Sequence, residues 1–329
     1  MIGNNMVEAS LPYYKVLTAM VPQYVPARIN YAIAFKRRGK LDKAIEQLEA
    51  ATEADPNFLA TWQQLADVYR TAKQPEKARE AYQKWAELAP DDPKPRFMLD
   101  AMASHMSPET ALPERAPDDF VANYFDQYAH TFEQHANSIM RYQVPAMFKR
   151  LVDHLGFAGL DDVMALDLGC GTGLCGEFLA PIAARLDGID LSPAMIKASK
   201  EKGYYTNLIQ AELVPGMQGL PKQSYDIILA GDVFCYIGDL EPAFAEVRER
   251  LSARGRFIFS VESMTYNEVD KGAKHYTLRD SGRYAHHRDY IHDLTERMGI
   301  PLVLSGHETL RLEYGKPVAG WVMVAQLAD

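Results

Sequence analysis

No apolar run in this chain approaches the ~18 residues that span a bilayer, which excludes a transmembrane helix. Its first residues, Met1 to Met6, have neither the basic flank nor the apolar core of a secretory leader. Cysteine is scarce. Cys170, Cys175 and Cys235 form an odd set without a repeated spacing, so no disulfide framework is expected, and a reducing, cytoplasmic setting fits. Cys170 and Cys175 have no second ligand pair to share a metal with, and they read as small apolar packing residues. Positive charge is also short: 35 Lys and Arg stand against 44 Asp and Glu, a net −9. The deficit lies after residue 105, where 21 basic residues face 31 acidic ones, whereas residues 1–105 hold 14 against 13. Nucleic acid is therefore not expected as a partner, because a polyphosphate is repelled by the acidic part. The basic run Lys36 to Lys40 falls at an expected helix–helix turn and reads as solvated.

What is present suffices for two folded units, with 329 residues of which 47% are hydrophobic. A period of 34 comes first: Ala44 and Ala78, Pro56 and Pro90, Tyr31 and Leu65, Ala32 and Ala66, Phe35 and Tyr69, Leu48 and Tyr82. Paired helices need small residues where they cross, large ones between, and a proline to stop the second helix. The repeats span about 25–58 and 59–92. Pro22 lies 34 before Pro56, so residues 11–21 read as the second helix of a degenerate earlier repeat, and 93–105 as a capping helix. Trp85 occupies a slot for a small residue, which either splays its helix pair or offers an aromatic contact to a neighbour. About three repeats are needed for a stable stack. Residues 1–105 are therefore expected to dock on the rest of the chain or on a second copy.

Residues 106–117 read as a linker. Three prolines in the eleven residues from Ser107 to Pro117 make it extended and semi-rigid, with a hinge, and the second domain is expected at 118–329. Residues 118–156 read as helical, with Phe120, Tyr124, Phe125, Tyr128 and Phe132 as an aromatic stripe. Strands and helices then alternate: strand 163–168, helix 174–183, strand 185–190, helix 193–201, strands 207–210 and 226–231, helix 240–252, strand 256–261, and late strands near 302–312 and 318–327. That order implies an α/β sandwich on a mostly parallel sheet with a final hairpin.

The most informative stretch is Asp167-Leu-Gly-Cys-Gly-Thr-Gly173, which joins the first strand to the first helix. Its glycines let the backbone turn sharply and approach a ligand closely. Asp190 ends the next strand, 17 residues past Gly173, where a nucleotide-binding βαβ unit puts the acid that binds ribose hydroxyls. Glu177 and Phe178 stand where a dinucleotide fingerprint has its later glycine.

With that context, residues 163–235 resemble the cofactor-binding half of class I S-adenosylmethionine (SAM) methyltransferases. The wider arrangement resembles predicted bacterial methyltransferases that carry tetratricopeptide repeats. Phe125 to Ala129 with Phe132, Asp232 to Asp239, and Leu278 to His286 carry that closer match. The resemblance implies a Rossmann-like, seven-stranded, doubly wound sheet behind an N-terminal all-α repeat module. It implies SAM as cofactor and S-adenosylhomocysteine as product. Gly169, Gly171 and Gly173 should run beneath the methionine part and Asp167 reach its amino group. Asp190 should take both ribose hydroxyls, Leu191 pack on the adenine face, and Glu212, with Leu213 beside it among the cofactor-binding residues, stand by the adenine amino group. Asp232 should face the methionine end or the substrate.

An acceptor hydroxyl needs a base and a carboxylate or thiolate does not. His286, His287 and Asp232 are the candidate catalytic groups, and Tyr128, Tyr142, Tyr236, Tyr276, Arg283, Tyr284 and His286 the candidate substrate wall. A metal shared by His286, His287 and His292 is not expected, because adjacent helical side chains diverge. No Asn/Asp-Pro-Pro-Tyr stretch follows the fourth strand, which disfavours methylation of planar nitrogens. The leading expectation is methyl transfer to a small molecule, at a hydroxyl or carboxylate oxygen. The alternatives are a protein or carrier-bound substrate recruited by the repeats, and a SAM-binding scaffold or sensor without catalysis. Partners expected are the small-molecule substrate and, through the repeats, a protein or a second copy, with no membrane.

Overall fold

A computed structural model describes residues 2–328 apart from 107–111, 158, 161, 271, 274 and 314, with backbone alone for 2–9 and 104–106. The chain divides into two compact units, Met1–Ser107 and Pro108–Asp329. Residues 107–111 of the expected linker lie outside the described residues.

The first unit is six helices: α1 (Ile2–Met20), α2 (Val25–Arg37), α3 (Leu41–Ala54), α4 (Leu59–Thr71), α5 (Pro75–Leu88) and α6 (Pro93–Met106). The expected repeats are the pairs α2–α3 and α4–α5. Ala44, Ala51, Ala66 and Ala78 are fully buried where helices cross, and Leu48, Leu65 and Tyr82 fill the space between. Trp85 is buried, not splaying. It stacks on Tyr82 with ring centroids 5.9 Å apart, and its indole N–H donates to Asp92 Oδ2 at 3.0 Å, just before α6. The extra aromatic thus ties the second repeat to its cap.

The second unit opens with α7 (Asp118–Tyr128), a 3₁₀ turn, α8 (Phe132–Ser138) and α9 (Val144–His154). Five parallel strands follow: β1 (Met164–Leu168), β2 (Arg185–Asp190), β3 (Asn207–Gln210), β4 (Tyr225–Ala230) and β5 (Leu251–Glu262). Between them lie α10 (Gly176–Leu179), α11 (Pro193–Lys202), α12 (Leu213–Gln218) and α13 (Glu241–Arg250). After β5 come α14 (Tyr266–Asp270), β6 (Tyr276–Leu278), β7 (Tyr284–His286), α15 (Arg288–Arg297), β8 (Leu302–Glu313) and β9 (Lys316–Gln326). The seven-stranded sheet runs β3-β2-β1-β4-β5-β9-β8, with β9 antiparallel to β5 and to β8.

Every residue of β4 is buried because both faces of the sheet are covered. Ile227 and Leu229 pack with α9 and Leu179, while Ile228 and Ala230 pack with α12, α13 and α15. Chain order reverses direction between β1 and β4, and the carboxyl ends of these strands open a crevice there. α11 shows how sequence sets such an element. Ser192 caps it by accepting the Met195 N–H at 3.1 Å, Pro193 starts it, and Gly203 ends it at φ +71°.

Three local expectations differ. The helix expected over 174–183 is one turn, Gly176–Leu179. Helix α12 was not anticipated, because Pro215, Gly216 and Gly219 hide its pattern. The two-stranded ribbon of β6 with β7 falls where no strand was expected, and α15 begins at Arg288.

Candidate active site

Backbone geometry builds the floor of the crevice. Gly169, Gly171 and Gly173 take φ of +67°, +55° and +84°, a region that L side chains rarely adopt. A Cβ on Gly169 would lie 2.8 Å from Val233 Cγ2. The loop is tied at both ends. Gly171 N–H donates to Asp190 Oδ2 and Ser192 N–H to Asp190 Oδ1, each at 2.8 Å. Ser199 Oγ donates to the Gly171 carbonyl at 2.7 Å. Asp190 thus anchors the turn while it lines the crevice. Burial pushes its carboxyl up to about 6, against those N–H donors.

Asp167, at the end of β1, lines the same space. Its Oδ2 accepts the Tyr205 hydroxyl at 2.7 Å, while Oδ1 has no protein partner among the described residues. Burial pushes this carboxyl up to about 7, the Tyr205 bond lowers it, and the nearby Asp190 charge raises it. Tyr205 escaped the sequence reading, because it stands before β3 without a motif around it. Its ring fills the space that Gly173, Gly176 and Gly188 leave, where any Cβ would come within about 3 Å. Gly173 therefore makes room behind the loop and does not itself line the crevice.

Leu191, Glu212 and Leu213 line the far side. Glu212 Oε2 caps α12 by accepting the Val214 N–H at 2.9 Å, and its Oε1 faces Arg115 Nη1 at 3.5 Å. Arg115 comes from the expected linker. There Ala116 N–H donates to the Tyr236 carbonyl at 2.8 Å, and Gly238 N–H to the Glu114 carbonyl at 2.7 Å. Residues 114–116 are pinned along the loop after β4 by these bonds.

Asp232 stands at the C-terminal end of β4 with φ +56°, a conformation that costs energy outside glycine. Its N–H donates to Ser260 Oγ at 2.9 Å, and its Oδ1 accepts Arg311 Nη1 at 2.5 Å. Arg311, fully buried on β8, also donates to Glu262 Oε1, and Arg279 Nη1 donates to Glu262 Oε2 at 2.9 Å. Burial pushes the Asp232 carboxyl up to about 7, with the Arg283 charge pulling the other way. Nothing in the alternation around 302–312 marked Arg311 as part of the site.

Tyr128, Tyr142, Tyr236 and Arg283 line the crevice with Phe125 and Phe132 from α7 and α8. α7 is fastened over it by Asp126 Oδ1, which accepts Ser192 Oγ at 2.5 Å and the Ala194 N–H at 3.1 Å. Besides Gly173, four expected site residues lie elsewhere. His286 is fully buried in the ribbon, with Nε2 3.1 Å from the Gly238 carbonyl, and burial lowers its imidazole to about 4. His287 Nδ1 caps α15 by accepting the Asp289 N–H at 3.2 Å. Tyr284 is buried and donates to the Pro113 carbonyl at 2.7 Å, and Tyr276 packs on Gly238. The histidines are therefore corrected from candidate bases to structural groups, and both tyrosines from the substrate wall to supports of the loop after β4.

Among the described residues the one cluster with metal-ligand geometry is Asp232, Cys235 and Glu262. Arg311 already bridges its two carboxylates. All three cysteines are buried as free thiols, and burial pushes each well up.

Residues 166–257 match the family model of a methyltransferase domain, and residues 2–65 and 37–97 match that of a tetratricopeptide repeat. The chain carries a methyltransferase domain beside tetratricopeptide repeats. A malonyl-acyl-carrier-protein O-methyltransferase of Hamiltonella defensa is 30% identical over 146 residues, 44% of this chain and 52% of its own. An uncharacterized methyltransferase of Schizosaccharomyces pombe is 33% identical over 94 residues, 29% of this chain and 35% of its own. The chain spans about half or less of the length of these curated relatives. A Burkholderia thailandensis 1,6-didemethyltoxoflavin-N1-methyltransferase, solved with S-adenosylhomocysteine, superposes with a TM-score of 0.50 at 16% identity. It covers 67% of this chain and 93% of that one, a likeness of fold.

SAM is the cofactor of such a domain, and the crevice fits it. Gly169 and Gly171 present their backbone along the crevice, Asp167 keeps an oxygen free of protein partners, and Asp190 sits at the end of β2. No helix among the described residues is long and apolar enough to cross a membrane.

Proposed function

We propose that this chain transfers a methyl group from SAM to a small-molecule acceptor at oxygen, with residues 118–329 as the catalytic domain. One observation carries the reading: a single crevice joins the Asp167, Asp190 and Glu212 side to an aromatic wall holding Asp232 and Arg283. SAM, when bound, supplies a methyl on a cationic sulfur, so transfer neutralises that positive charge. Asp190 is assigned the ribose hydroxyls, since an ionised carboxylate accepts several hydrogen bonds at once. Asp167 Oδ1 is assigned the amino group, and Leu191 and Leu213 the adenine faces. Glu212 has a weaker part in this scheme, because Val214 N–H and Arg115 already occupy its oxygens. α7 and α8 shield the crevice from water and hold the acceptor in line, which is the larger part of catalysis for a displacement of this kind.

A second reading, a protein or carrier-bound acceptor, draws support from the repeats and from an exposed apolar face on α1, where Tyr13 and Met20 are each 76% exposed. A SAM-binding sensor is the third. A thermal-shift series with SAM, S-adenosylhomocysteine and adenosine tests the shared premise. Stabilisation by both thioether and sulfonium ligands is expected, and indifference to all three contradicts it. Turnover then separates enzyme from sensor.

A further inference from the structure

We infer that the acceptor is a carboxylic acid with a flat apolar body, held by Arg283 and methylated on its carboxylate; this rests on the methyltransferase reading above. Arg283 lines the crevice with its side chain 14% exposed, its guanidinium 5.6 Å above the Tyr236 ring. Among the described residues that guanidinium donates no hydrogen bond, and its Nη1, shut off from solvent, has only the looser ion pair with Glu262. The carboxylate beside it, Glu262, lies at 3.6 Å and is already hydrogen-bonded by Arg279 and Arg311. Asp232 likewise accepts from Arg311. Arg279 and Arg311 are thus hydrogen-bonded by protein, whereas Arg283 has an ion pair at 3.6 Å and no hydrogen bond among the described residues. Five donors in a fixed fork match a carboxylate, and a buried donor left without a hydrogen bond is costly.

Two further observations point the same way. The imidazoles that would activate a hydroxyl are off the crevice, with His286 bound to the Gly238 carbonyl and His287 capping a helix. A carboxylate needs no base. The remaining wall is aromatic: Phe125 meets Tyr236 edge-on with centroids 5.6 Å apart, and Tyr128 meets Phe132 edge-on at 6.3 Å. Such surfaces take a planar body. In the step, a lone pair on the acceptor's carboxylate oxygen forms the O–CH₃ bond as the S–CH₃ bond breaks, and that bonding pair stays on sulfur. The carboxylate's negative charge and the sulfonium's positive charge both vanish, and no proton is released. The ester product is neutral and forfeits the charge-assisted pairing with Arg283, which favours its departure.

The test is calorimetric binding of cinnamate, 3-phenylpropionate and hexanoate to the full chain saturated with S-adenosylhomocysteine, beside cinnamyl alcohol as the uncharged match. At least one acid should bind, and cinnamyl alcohol should bind at least about tenfold more weakly than cinnamate. Arg283→Gln should weaken the acids by at least about tenfold with S-adenosylhomocysteine affinity retained, and Arg283→Lys should recover part of the loss. With SAM, mass spectrometry should find the methyl ester. The inference is overturned if no acid binds, if the alcohol binds as well as the acid, if Arg283→Gln leaves the acids unaffected, or if that variant loses the nucleoside. Failure of the wild-type chain to bind S-adenosylhomocysteine is a different result, and it removes the methyltransferase reading itself.

Discussion

In the proposed reading Asp190 does two jobs with one carboxylate. Oδ2 accepts the Gly171 N–H of the glycine turn and Oδ1 the Ser192 N–H at the start of α11, and lone pairs remain for the proposed ribose. Asp190→Ala should therefore weaken SAM binding by roughly the 1.5–3 kcal/mol of charge-assisted hydrogen bonds, and loosen the turn as well. Unchanged affinity by titration would place the ribose elsewhere. Asp167 and Asp190 are raised to about 7 and about 6 by burial, from an ordinary 3.8. A folded-state value above the unfolded one gives stability that is full below the ordinary value and lost as pH rises through the folded one. The ligand-free protein should accordingly lose melting temperature between pH 4 and about 7 from these two groups. The SAM-induced rise should grow over the same window, as the ionised carboxylates gain partners. Scanning fluorimetry across that range checks it, and a SAM effect that shrinks with rising pH contradicts it. Tyr205→Phe removes a bond that lowers Asp167, so the onset of SAM binding should move to higher pH.

The glycine turn is the element whose conformation the ligand site depends on most. Gly169→Ala meets both a positive φ and a contact of 2.8 Å with Val233, so a loss of about 1–3 kcal/mol is expected in chemical denaturation. Gly203→Ala, strained at φ +71° but with open space around it, should cost about 1 kcal/mol. In the repeats, Trp85→Ala removes the stack on Tyr82 and the bond to Asp92, and about 3–5 kcal/mol should follow. These elements were legible because each is local: Asp167 to Gly173 must turn, Asp190 must end a strand, and Ala44 and Ala78 must sit at a crossing. Arg311, Tyr205 and Arg115 were not, since each reaches the site across a sequence gap that periodicity does not see. His286 misled for the same reason, as residue type marks an imidazole for acid–base work while burial against Gly238 keeps it neutral.

For the molecule as a whole, strand order carries the function. Putting β1 and β4 side by side brings Asp167 and Asp232 to one edge, and β2 adds Asp190. The parallel strands and final hairpin followed from hydrophobic runs and their spacing, whereas the ribbon Tyr276–His286 did not, because strands of three residues give no period to read. The measurement that bears most directly on this account is isothermal titration of the full chain with SAM. Saturation at one equivalent in the wild type, with affinity reduced at least about tenfold in Asp190→Ala, is the predicted result. No heat of binding from the wild type, or equal affinity in the variant, would contradict it.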